Sequence, residues 1–160
     1  KEGHQLVLNI EGLAQRDGRL YFGLKEPTSA NGALVWEVRQ PDTLFGYGKL
    51  SPADVRLCTT LPLGTSAGRQ ASISDLHFTP DGRLLVTSTF ADVPDALQRG
   101  GVHIIDKFAC GASPAVRTLR RLPRLKPEGI CTIDKQRAMV VLDAGLAHPA
   151  FFELPLPKVP

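Results

Sequence analysis

Apolar and polar positions alternate with a period of two along much of the chain. Leu6, Leu8 and Ile10 alternate with Val7 and Asn9. Leu20-Tyr21-Phe22, Ala33-Leu34-Val35-Trp36, Leu84-Leu85-Val86, Val102-His103-Ile104-Ile105 and Met139-Val140-Val141-Leu142 are short β-rich runs. Each has the length of a strand and is bounded by Gly, Pro, Asp or Asn. No segment carries a 3.6-residue stripe; the nearest, Pro94 to Gln98, is at most one helical turn.

The runs recur in register. Ile10-Glu11-Gly12-Leu13-Ala14 leads into Asp17-Gly18-Arg19-Leu20 and a strand. Ile73-Ser74-Asp75-Leu76-His77 leads into Asp81-Gly82-Arg83-Leu84 and a strand. Pro127-Glu128-Gly129-Ile130-Cys131 leads into Asp134 through Arg137 and then Ala138-Met139-Val140. The starts are 63 and then 54 residues apart. Asp-Gly between strands is a hairpin signal, because both central positions accept positive φ. The third copy, Asp134-Lys135-Gln136, needs a different turn.

The first repeat divides into strands at 6–14, 19–25, 33–39 and 54–61, and the second at 72–79, 83–90, 101–107 and 115–122. The third gives 127–133, 138–143 and 150–154, with no fourth. Four antiparallel strands per unit of about 50 residues is the spacing of β-propeller blades. The expectation is an all-β chain over residues 1–160 forming about three blades: 1–66, 67–123 and an incomplete 124–160. Since propellers close with roughly four to eight blades, the ring is expected to be completed by a partner chain or a second copy. An ordinary β-sandwich is the alternative.

Composition does not change this picture. Hydrophobic residues are 42% and charged residues 22%, as in globular proteins. Gly 15 and Pro 13 fit many turns. The net charge of +3 is mild, and the basic run Arg117, Arg120, Arg121, Arg124 and Lys126 has no interleaved aromatics as stacking platforms. A solvated outer strand is therefore expected there, not a nucleic-acid surface. No apolar run approaches the roughly 18 residues of a membrane span. The chain starts at Lys1, which suggests a processed or excised product. Cys58, Cys110 and Cys131 match no CxxC metal spacing. One disulfide, with Cys110 and Cys131 as the candidate pair, suits a periplasmic or secreted protein; three reduced thiols suit the cytosol.

The Ile10–Ala14 segment, with Gly23-Leu24-Lys25-Glu26-Pro27 and Gly32-Ala33-Leu34, resembles the DUF3616 family of bacterial propellers. Ile73-Ser74-Asp75-Leu76 with Pro80–Val86 is similar to both that family and the esterase-like phytases. Pro127–Ile130, with Val141-Leu142-Asp143-Ala144-Gly145, looks like the last blade of such proteins. The resemblance implies an exported hydrolase of phosphoric esters that uses calcium or another divalent cation. Thr87-Ser88-Thr89-Phe90 stands where phytase-like members carry a charged cluster.

Inner strands line a propeller's channel, so Glu11, Asp75 and Glu128 are the candidate metal ligands. Glu11 and Glu128 align directly, and Asp75 is displaced by one. Carboxylates converging on a channel could hold a hard cation that polarises an ester. Alternatively, they bond backbone amides of the adjacent blade and fix blade geometry. Lys25 and Arg83 are candidate anion contacts, and His77 could reach the channel. Asp143 reads as a turn-former or ligand, and Asp92 and Asp95 lie in the longest insertion of the second repeat. His4, His77, His103 and His148 show no HExxH spacing. Ser66, Ser72, Ser74 and Ser88 lie in no GxSxG elbow. Trp36 and Tyr21 read as packing residues. The competing function is a non-catalytic propeller that serves as a binding or assembly subunit.

Overall fold

A computed structural model describes residues 8–42, 51–90, 99–143 and 150–158. All thirteen described elements are β-strands. β1 (Asn9–Arg16), β2 (Arg19–Ser29), β3 (Gly32–Val38) and β4 (Val55–Leu61) form the first antiparallel sheet in chain order. A small hairpin follows, β5 (Thr65–Ser66) with β6 (Arg69–Gln70). The second sheet runs β7 (Ser72–Phe78), β8 (Leu84–Thr89), β9 (Arg99–Ile105) and β10 (Arg117–Pro123). The third contains β11 (Lys126–Thr132), β12 (Arg137–Asp143) and β13 (Ala150–Pro155). Every strand expected from the alternation is present within a few residues; the β5–β6 hairpin is additional. His4, Asp92, Asp95 and His148 lie outside the described residues.

The turns follow local chemistry. Asp17 and Gly18 both take positive φ, 53° and 70°, as a tight Asp-Gly hairpin requires. The second Asp-Gly turn differs: only Gly82 is left-handed. There Thr79 Oγ1 donates to the Arg83 carbonyl and accepts from its amide. In the third turn Asp134 Oδ1 accepts the Gln136 amide at 2.8 Å, replacing the missing glycine with an Asx-type bond.

The sheets stack in sequence through two apolar layers. Between the first and second lie Tyr21, Val35, Leu61, Ile73, Leu76 and Val86. Between the second and third lie Leu85, Ile104, Ile130, Val140 and Leu154. The middle sheet is thus covered on both faces, and all six residues of β8 are buried. This explains why its sequence is a continuous run and not an alternation.

The first-strand repeat is also visible in the pairing. β1, β7 and β11 each carry a β-bulge at the same step, between Ile10 and Gly12, Ile73 and Asp75, and Pro127 and Gly129. The bulged residues are Glu11, Ser74 and Glu128. Leu13, Leu76 and Ile130 follow at equivalent positions, paired with Phe22, Val86 and Val140.

Candidate functional site

The shared bulge locates the one-residue displacement of Asp75, whose repeat has Ser74 at the bulged position. Glu11 and Glu128 occupy the bulged position, while Asp75 stands where the other repeats have Gly12 and Gly129. The structure gives these three carboxylates separate surroundings. Asp75 Oδ2 accepts the Ile130 amide of the third sheet at 2.9 Å, and Oδ1 accepts the Leu76 amide at 2.8 Å. Burial raises its pKa, while the amides of Ile130, Leu76 and Leu13 pull it back down. Glu11 pairs with Lys25 at 2.8 Å. Glu128 pairs with Lys126 at 2.6 Å, and Lys126 also reaches Asp143 at 3.2 Å. Among the described residues, no group of three or more His, Cys, Asp or Glu is placed to hold a metal ion.

The three candidate anion contacts also have partners within the chain. Lys25 is held by Glu11. Arg83 is buried and forks onto both Asp81 oxygens at 2.9 and 2.7 Å, with its remaining arm on the Pro157 carbonyl. That fork, foremost among the causes, lowers the Asp81 pKa to about 2. His77 Nε2 accepts the Thr132 amide at 3.2 Å and meets the Thr132 hydroxyl at 2.9 Å. Burial lowers the His77 pKa, against the pull of Asp75. Asp75 and His77, two apart on β7, therefore bond amides two apart on β11. Period-two geometry puts both on one face of the strand, and together they form a side-chain ladder between sheets.

The expected pairing of Cys110 with Cys131 is corrected. Cys58 on β4 and Cys110 form the disulfide, and Cys131 is free and exposed. Cys58 faces the first apolar layer, against which Cys110 also packs. Cys131 lies on β11, opposite Met139.

A second constellation carries no local motif. Ser88, His103 and Thr118 sit on the adjacent strands β8, β9 and β10. Ser88 Oγ lies 2.8 Å from His103 Nε2, and Thr118 Oγ1 lies 3.2 Å from His103 Nδ1. His103 is paired with both Val86 and Thr118, which places the three residues on the face turned to the first sheet. Burial, helped by the Arg121 charge, lowers the His103 pKa to about 4. Gly101 permits the approach, since a Cβ there would lie 2.8 Å from His103 Nε2. These residues floor a cavity of about 750 Å³ bordered by Pro62–Ser66, Phe90, Arg99, Arg121 and Arg124.

The fold and these sites define an all-β protein of serially stacked antiparallel sheets. The chain belongs to DUF6910, a family of unknown function, whose model matches residues 2–144. This corrects the resemblance read from the sequence: the family is not DUF3616, and nothing links the chain to esterase-like phytases. No curated protein and no solved structure matches it. Among the described residues, no helix is long and apolar enough to cross a membrane.

Proposed function

We propose that this chain is a non-catalytic stretch of β-propeller that works as an assembly module, its end sheets docking further blades of the same repeat type. The carrying observation is the apolar exposure of the two outer faces. On the first sheet, Leu13, Phe22, Trp36 and Leu57 form one cross-strand row, with Leu13 and Leu57 each 56% exposed. On the third sheet, Val141 is paired with Phe151, which is 65% exposed.

The repeat argues for what covers them. Leu76 and Ile130, the equivalents of Leu13, each pack against the preceding sheet. By the same register, the row containing Leu13 is the face that receives a preceding blade, and the face with Phe151 is the one that receives a following blade. Apolar patches of this kind mark interaction surfaces. The bond of Asp75 to the neighbouring sheet favours a blade-fixing role for that carboxylate, while Glu11 and Glu128 are neutralised by lysines of their own sheets.

Native mass spectrometry of the purified protein tests the reading. The expected result is a particle heavier than the 17.3 kDa chain, broken up by Leu13→Lys or Phe151→Lys. A stable monomer of wild-type protein would overturn it.

A further inference from the structure

The basic run on and after β10 divides in the folded chain. Arg117 pairs with Asp106, Arg120 lies 4.5 Å above the Phe152 ring, and Lys126 is held by Glu128 and Asp143. Arg121 and Arg124 instead border the cavity between the 62–66 segment and the second sheet, where Arg99 joins them. Among the described residues none of these three has a carboxylate partner, and no Asp or Glu lines the cavity. Three like charges around one concavity focus a positive potential inside it.

We propose that this cleft binds a small organic anion, with Arg99, Arg121 and Arg124 on its phosphate or carboxylate group and Phe90 and Leu63 against its apolar body. Guanidinium forks match the paired oxygens of either headgroup. Hydroxyls on both His103 nitrogens satisfy the floor, so it adds polarity without charge. The cavity, about 750 Å³, lies within the range of roughly 300–1,000 Å³ typical of small-molecule sites. The site lies within one chain, so its failure would leave the assembly reading untouched.

Calorimetric titration with phenyl phosphate, benzoate, inorganic phosphate and benzyl alcohol tests the assignment. At least one aromatic anion is expected to bind, more tightly than inorganic phosphate, and more weakly as salt is added. Whichever of phenyl phosphate and benzoate binds more tightly identifies the headgroup. Benzyl alcohol is expected to give no heat. The double variant Arg121→Gln/Arg124→Gln should weaken binding at least tenfold, while Arg120→Gln, on the Phe152 ring, should leave it unchanged. All three arginines are exposed, so circular dichroism of the variants should match wild type. Silence from both aromatic anions, equal binding of benzyl alcohol, phosphate alone binding as tightly as phenyl phosphate, or an unaffected double variant would each overturn the proposal.

Discussion

Asp75→Asn separates a structural carboxylate from a metal ligand. In the native protein its two oxygens accept amides from Ile130 on the neighbouring sheet and Leu76 on its own strand. An asparagine keeps one acceptor and turns an NH2 toward the other amide, so two donors face each other. A hydrogen bond to a charged group contributes about 1.5–3 kcal/mol, and an unsatisfied buried donor costs about 1–3 kcal/mol. The variant should therefore lose about 3 kcal/mol. With a urea m-value of about 2 kcal/mol/M, the midpoint falls by roughly 1.5 M. The direction of the pKa shift adds a signature. Burial raises the Asp75 pKa above its unfolded value, so ionisation costs stability as pH rises through the folded pKa. Asparagine, which does not titrate, removes that slope, and the gap between wild type and variant narrows toward neutral pH. Urea denaturation across pH 3 to 7, with and without calcium, reads both effects. A loss below about 0.5 kcal/mol would refute the ladder argument. So would a calcium-induced rise in the wild-type midpoint that Asp75→Asn abolishes.

The Cys58–Cys110 link spans 52 residues. Chain entropy gives it about 4 kcal/mol, so Cys58→Ala/Cys110→Ala should lower the denaturant midpoint markedly, while the native protein presents a single reactive thiol, at Cys131, to Ellman's reagent. For His103, burial and Arg121 hold the folded pKa at about 4, below the ordinary 6.5. Its contribution is complete above pH 6.5 and is lost as pH falls toward 4, on the order of 3 kcal/mol in all; an imidazole NMR titration should show no inflection near 6.5, and His103→Asn should flatten the loss of stability between pH 6.5 and 5.

Where structure depends on neighbours in the chain, the sequence announces it. The alternation of Leu6–Ile10 and the Asp17-Gly18 pair locate β1 and β2 without reference to anything distant. The bulge at Glu11, Ser74 and Glu128 leaves a fainter trace. An inserted residue changes no composition, and because all three first strands carry it at the same step, the repeats stay aligned across it. The disulfide is hidden because Cys58 and Cys110 meet across two sheets, and no spacing between three scattered cysteines encodes that. Ser88, His103 and Thr118 are hidden for a similar reason. They are 15 residues apart in each step, a distance set by two hairpin registers. That regular interval was the available signal, and it acquires meaning only once β8, β9 and β10 are known to be neighbours. The arginine run likewise reads as one basic patch until the fold assigns its members to different partners.

The unequal fastening of the three sheets has a consequence for how the protein comes apart. The first and second are joined by an apolar layer and also covalently, through Cys58 and Cys110. The third is held by the second apolar layer and by the contacts of Asp75, His77 and Arg83. In serially stacked folds each unit answers mainly to its neighbours, and regions open as cooperative patches of differing local stability. The third sheet is then the first such patch to let go, and reducing conditions erase much of the difference. A docked blade covering Phe151 would stabilise the least secured part of the chain, so the assembled particle should resist local opening where the isolated chain yields.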